Sequence, residues 1–175
     1  MGREPAVTME YKKLTHTFDP IYNKDSKILI LGSFPSVKSR ETDFYYGHPQ
    51  NRYWKVLADI LEVSVPETPD EKRKMLLENN IAIWEVIHSC SIIGSSDSSI
   101  KDVVVNDFSE ILDNSQVKTI FVNGGKAHEL YRKYAEKNTG LKAVKLPSTS
   151  PANAAWKLER LCEAWGDAIR PALGL

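Results

Sequence analysis

Three short segments of this chain mix glycine, proline, hydroxyl, amide and aromatic residues in patterns suited to chemistry on a flat, charged ligand. The most informative is Phe44-Tyr45-Tyr46-Gly47-His48-Pro49-Gln50-Asn51-Arg52-Tyr53-Trp54. Core packing accounts for Tyr53 and Trp54, which begin a helix with apolar partners. It does not account for Tyr45 to Pro49, which follow no period and must form a loop. An aromatic loop followed by Asn and Arg suits stacking on a base and contact with a phosphate. The second segment is Leu31-Gly32-Ser33-Phe34-Pro35-Ser36, where glycine closes an apolar run and proline stiffens the turn, so that backbone N–H groups can face a ligand. An ordinary strand-to-helix turn has the same composition. The third, Leu146-Pro147-Ser148-Thr149-Ser150-Pro151-Ala152-Asn153, sets three hydroxyls between prolines and can offer neutral donors to phosphate oxygens. It also reads as a helix-capping turn, with Ser150 ahead of a proline, and both roles can hold together.

The elements that position these segments alternate. Short apolar runs predict strands at Lys27–Gly32, Ile81–Trp84, Thr119–Asn123 and Lys142–Leu146. Helices are expected over Asn51–Leu61, Pro69–Glu78 (opened by Thr-Pro-Asp-Glu), Ser109–Asn114, Lys126–Glu136 and Ala154–Ile169. Such alternation predicts a three-layer α/β/α fold around a central four-stranded, mainly parallel sheet, with Lys27–Gly32 central because it is apolar throughout. Ligands bind beyond the carboxyl ends of such strands. Those ends carry Gly32–Ser36, Glu85–Ser99, Asn123-Gly124-Gly125 and Pro147–Asn153. The serine-rich stretch Ser89–Ser99 reads as a loop.

Composition narrows the function classes. The 175 residues, 42% hydrophobic and 26% charged, fit one globular domain spanning the chain. The net charge of zero counts against a surface coated in basic charge but leaves room for a local basic patch. Cys90 and Cys162 are the only cysteines, too few for a four-thiolate iron–sulfur cluster. His16, His48, His88 and His128 show no close metal spacing, so no metal and no cofactor is expected. No apolar run is long enough to span a bilayer, and Met1–Lys13 contains no apolar stretch like a signal peptide. A cytoplasmic monomer without membrane contact is the expectation.

The three segments together resemble the uracil-DNA glycosylase superfamily. Gly-Ser-Phe-Pro-Ser with Tyr-Tyr-Gly-His-Pro-Gln-Asn-Arg is most similar to its hypoxanthine-DNA glycosylase branch, and the resemblance runs from about Ile28 to Asn153. It implies a monofunctional enzyme of base excision repair that acts on DNA containing a deaminated base (hypoxanthine, with uracil second) and leaves an abasic site. Carried over by motif, Gly32 to Ser36 match the first catalytic segment, and Tyr46 the aromatic that stacks on the extruded base. Ser148 to Asn153 match the loop that presses into DNA beside the lesion. Two departures stand out. Phe34 replaces the water-positioning Asn or Asp of many relatives, and the wedge position falls on Ala152. In the hypoxanthine branch the Asn of the middle block, here Asn51, looks like the catalytic residue.

The chemistry assigns further roles. Breaking an N-glycosidic bond builds an oxocarbenium-like sugar and pushes negative charge onto the base. Asn51 is expected to hold a water through its side-chain carbonyl, although an Asn where the aromatic loop becomes a helix also reads as a cap, and Ser36 is a further expected catalytic residue. His48 is a candidate donor to the base or a phosphate, and equally a structural residue. Gly32, Ser33, Phe34, Pro35, Tyr46 and Asn123 are the expected base-binding residues; the sequence does not say which group reads the base edge, for which Asn123 and the Glu85–Ser99 loop are the candidates. Lys38, Arg40, Arg52 and Lys126, with Ser148, Thr149, Ser150, Ala152 and Asn153, are the expected DNA contacts, although each cation is also explicable as a solvated surface charge. A non-catalytic nucleotide- or nucleic-acid-binding α/β module would explain the polar rim but not the full aromatic block. Another kind of α/β hydrolase finds no Gly-x-Ser-x-Gly elbow here.

Overall fold

A computed structural model describes residues 10–15, 18–42, 44–94 and 96–175, with the backbone alone at 37, 38 and 42. Four parallel strands form its centre: β2 (Ile28–Gly32), β3 (Ile81–Glu85), β6 (Thr119–Asn123) and β7 (Ala143–Leu146), in the spatial order β3-β2-β6-β7. All five residues of β2 are buried, and β2 lies between β3 and β6 as its continuous apolar character requires.

Alternation along β2 divides the core between two faces. Ile28 and Ile30 pack with α2 (Tyr53–Leu61), α3 (Pro69–Glu78) and α7 (Leu158–Leu173). Leu29 and Leu31 point the other way, toward α4 (Ser109–Asp113), α5 (Gly125–Leu130) and the π-turn Tyr131–Ala135 that continues it into α6 (Glu136–Thr139). The result is three α/β/α layers. The start of α3 bears out the Thr-Pro-Asp-Glu reading: Thr68 and Glu71 form a reciprocal capping box ahead of Pro69. Helix α7 begins four residues later than expected and runs past Ile169 to Leu173, because the hydrogen-bonded turns of residues 150–156 precede it.

The serine-rich stretch is corrected by the structure. It carries most of β4 (Ile87–Ile92), which pairs antiparallel with β1 (Lys12–Thr15) and with β5 (Lys101–Val105), followed by a short 3-10 turn, Asp97–Ser99. Serine has little strand propensity, but Ile87, Cys90 and Ile92 are buried here and the ladder satisfies the backbone. The chain passes from the parallel sheet into this second sheet through Val86 alone, whose N–H donates to the Gly32 carbonyl at 2.8 Å and whose carbonyl accepts from Asn106 N–H at 2.9 Å. Among the described residues no helix is long and apolar enough to cross a membrane.

Candidate active site

The carboxyl ends of β2, β3 and β6 open into a cavity of about 160 Å³. That is well below the roughly 300–1,000 Å³ of drug-sized sites and suits one flat heterocycle. Its walls include Gly32 to Ser36, Ser39, Tyr46, Asn51, Glu85, Asp97, Asn123 and Ser148 to Ser150. The three segments singled out in the sequence therefore meet at one place.

The first wall is the turn after β2. Ser36 lines the cavity, but its hydroxyl is engaged at the start of α1 (Val37–Thr42): Oγ accepts from Ser39 N–H at 3.1 Å. This is a helix cap. Ser39 Oγ in turn accepts from Gly47 N–H at 3.0 Å, which ties the turn to the aromatic loop.

In that loop Tyr46 adopts φ +51°, a left-handed conformation costing a non-glycine residue about 1–2 kcal/mol. Such strain persists where surroundings enforce it, often at functional sites. Here one face of its ring stacks on Tyr53, with centroids 4.0 Å apart and planes 18° apart, while the residue still lines the cavity. Tyr53 is itself wedged edge-on between Trp54 and Trp165. The Tyr46 hydroxyl is buried and makes no hydrogen bond of good geometry. Burial and the nearby Glu85 raise its pKa well above the usual phenol value, with the Asn123 side chain working against the rise.

Asn51, Thr149 and Asn123 form a chain of hydrogen bonds across the cavity. Thr149 Oγ1 donates to Asn51 Oδ1 at 2.9 Å and accepts from Asn123 Nδ2 at 3.0 Å, and Thr149 N–H donates to Asn123 Oδ1 at 3.1 Å. Asn51 Oδ1 also accepts from Tyr53 N–H at 2.9 Å, a bond that fixes which end of the amide is oxygen. An amide oxygen has two lone pairs, and both are engaged. The expected water-holding carbonyl is thus committed to the fold, and the NH2 is the end of Asn51 left for a ligand.

Arg52 corrects a second expectation. Its guanidinium donates to the carbonyls of Ser150 at 2.8 Å, Asn153 at 3.2 Å and Thr149 at 3.3 Å, and to that of Trp156. The planar fork is spent on positioning the 149–156 loop rather than offered to a phosphate. The same loop is stapled by Ser148 Oγ accepting from Ser150 N–H, Ser150 Oγ from Ala152 N–H, and the Ser148 carbonyl from Asn153 Nδ2. Ser148, Ser150, Ala152 and Asn153 also line a second, more open groove beside the cavity, with Lys145 and Trp156. Gly124 permits this close packing: its φ is +96°, and a Cβ there would meet Ser148 Cβ at 3.1 Å.

The remaining expected residues divide. His48 is not among the cavity-lining residues; its Nδ1 accepts from Gln50 N–H at 3.0 Å, which leaves Nε2 to carry the proton of the neutral ring. Arg40 lies over the Phe34 ring at 5.6 Å and donates Nη2–H to the Gly94 carbonyl at 3.1 Å, with Nη1 buried and unpartnered. Lys126 opens α5 beside Asp97 and pairs loosely with Glu129 at 3.8 Å. The Lys38 side chain lies outside the described residues.

Glu85 was not singled out as an individual residue. It ends β3, is 3% exposed and lines the cavity, with Oε2 buried and without a hydrogen-bond partner. Burial, and then the charge of Asp97, push its carboxyl up to about 8. The sign in the sequence is an acid directly terminating Ile-Ala-Ile-Trp, at the rim where sites of such sheets lie. Asp97 stands at the mouth, its own carboxyl raised by burial against the opposing effects of Lys126 and the Ser33 hydroxyl.

A model of the uracil DNA glycosylase superfamily matches residues 20–169, which contain every cavity-lining residue. The chain belongs to the uracil DNA glycosylase superfamily. Its chemistry is that of a DNA glycosylase. Within this superfamily it is similar to a protein named hypoxanthine DNA glycosylase from Methanosarcina acetivorans, 34% identical over 148 residues that make up 83% of this chain and 92% of the relative. A protein of the same name from Methanosarcina barkeri is 34% identical over 114 residues, 64% of this chain and 72% of that one. A solution NMR structure of a candidate uracil DNA glycosylase from Methanosarcina acetivorans superposes with a TM-score of 0.77 at 32% identity, covering 90% of this chain and 98% of that one.

Proposed function

We propose that this glycosylase removes hypoxanthine from DNA, with uracil as a poorer substrate, by hydrolysing the base–sugar bond of a nucleotide turned out of the helix. The observation that carries the reading is the meeting of the Gly32–Ser36 turn, the Tyr46 loop and the Ser148–Ser150 loop at one cavity sized for a single base. The names of the relatives supply the base.

A base stacked in a duplex cannot be attacked in place and must enter such a cavity by flipping. The face of Tyr46 not used by Tyr53 supplies the π-surface, and Phe34 and Pro35 close the other side. Asn51 acts through its NH2, donating to the base or to the attacking water, and preorganised dipoles carry much of the acceleration. The Ser148–Asn153 loop lies against the strand, with Ala152 as a small wedge, and Arg52 holds that loop in place. Lys38, Arg40 and Lys126 supply charge to phosphates. The enzyme is monofunctional in this reading, cleaving the base–sugar bond and leaving the strand intact.

Duplexes containing one deoxyinosine, deoxyuridine or deoxyxanthosine, with an undamaged control, test the reading when abasic-site formation is followed on a gel. Deoxyinosine is expected to react fastest, then deoxyuridine. A clear preference for deoxyuridine transfers the activity to uracil, and binding without any abasic product makes the chain a non-catalytic module.

A further inference from the structure

We propose that Glu85 is the catalytic acid of this site, donating a proton from its buried carboxyl to the departing base. The inference rests on the glycosylase reading above and adds a residue and a step to it.

The geometry singles out this carboxyl. Glu85 is held at the bend between the two sheets, where its main-chain carbonyl accepts from the buried Asn106 Nδ2 at 2.9 Å. Its side chain reaches the cavity over Gly32, its register partner on β2. Room exists only because residue 32 is glycine, since a Cβ there would collide with Glu85 Oε2 and approach the Tyr46 hydroxyl to 2.9 Å. No hydrogen bond and no cation compensates Oε2 among the described residues, although the position is sealed from solvent. The titratable groups that face it are the Asp97 carboxyl and the Tyr45, Tyr46 and Tyr53 hydroxyls, none of them cationic near neutral pH. An unpaired buried carboxylate would carry a large desolvation cost, whereas a neutral carboxyl does not. The rise of this group to about 8 has that origin and keeps it mostly protonated at pH 7. A proton held at the wall of a base-sized cavity has an evident use, because a departing purine or pyrimidine gathers negative charge.

The step balances. The C1′–N bond breaks and its electron pair stays on the base. The Glu85 proton moves to an acceptor atom of the base, which leaves neutral. Water adds its hydroxyl to C1′ and releases its second proton to solvent, and a proton from solvent restores the Glu85 carboxyl. No oxidant, metal or nucleophilic adduct is needed.

The test compares wild-type protein with Glu85→Gln, nearly isosteric but unable to transfer a proton, on deoxyinosine duplex. Single-turnover release of hypoxanthine is followed at saturating enzyme from about pH 6 to about pH 10, with melting curves and DNA binding as controls. The wild-type rate should hold at low pH and fall above about pH 8 as the acid ionises. The Gln variant should be roughly a hundredfold slower and flat over that range. A folded Gln variant that keeps the wild-type rate and profile overturns the assignment. Should that variant fail to fold, a carbon-13 NMR titration of wild-type Glu85 decides: a carboxyl titrating with the midpoint of the activity supports the acid, and one already ionised at pH 7 overturns it. Wild-type protein that releases no base from any duplex refutes the glycosylase reading itself, a result distinct from either.

Discussion

Gly32 and Glu85 stand opposite each other across β2 and β3, and the side chain absent from the first makes room for the carboxyl of the second. Gly32 lies in a regular strand without positive φ, so the requirement for glycine is steric rather than conformational. A motif that looks like turn chemistry in the sequence thus serves a close approach between neighbouring strands.

Gly32→Ala should disturb both groups at once. The added methyl would meet Glu85 Oε2 and the Tyr46 hydroxyl. Overpacking of this kind costs about 1–3 kcal/mol, and displacing reacting groups by an ångström slows chemistry by roughly a hundredfold. A melting curve and single-turnover excision measure the two effects. A variant with wild-type melting and wild-type rate would show that no such close approach exists.

The Glu85 carboxyl should also shape stability against pH. Burial first, and Asp97 second, raise it from 4.5 to about 8. Between those values the folded protein keeps a proton that the unfolded chain has lost, so unfolding free energy falls as pH rises through the interval. The contribution is fully present below about pH 4.5 and gone above about pH 8, a loss on the order of several kcal/mol. Glu85→Gln should lack this slope and be the more stable protein at alkaline pH. Urea unfolding of both proteins across the range checks the prediction; parallel curves would mean the folded carboxyl titrates normally.

Asn51 separates into two working ends. Asn51→Ala removes the oxygen that accepts from Tyr53 N–H and Thr149 Oγ1 together with the NH2. It should cost about 1–2 kcal/mol in stability and roughly a hundredfold in excision. Asn51→Asp keeps the acceptor and replaces the donor, so it should melt near wild type and still lose most of the rate. Substantial activity in the Asp variant would assign the chemistry to the oxygen instead.

Arg52 and Lys126 carry equal charge and should behave oppositely. Arg52→Lys cannot reproduce four bonds to the 149–156 carbonyls and should destabilise the protein by about 2–4 kcal/mol. Its salt dependence of DNA binding, measured below the melting transition, should match wild type. Lys126→Ala should leave melting nearly unchanged, because a loose pair like that with the exposed Glu129 contributes little, and should reduce the salt slope by about one. Equal slopes in wild type and Lys126→Ala would remove Lys126 from the DNA contacts.

The sequence by itself determined the central sheet, the helices around it and the three segments that meet at the cavity. Apolar runs, capping residues and glycine or proline stops act within a few residues of themselves, so their meaning survives reading along the chain. The continuous run Ile28-Leu29-Ile30-Leu31 reads as a buried strand and is one between two neighbours, and Thr68 with Glu71 reads as a helix start and forms its capping box. Tertiary structure alone decided what individual polar atoms do. Arg52 became a loop clamp because the chain brings carbonyls some hundred residues away to its guanidinium. Asn51 lost the use of its oxygen because Thr149 arrives from the opposite side of the site. Glu85 acquired its raised proton affinity only when the fold buried it near Asp97, with no cation against it among the described residues. Hydrogen-bond partners and desolvation are properties of what the fold places nearby, and residue type and spacing do not contain them.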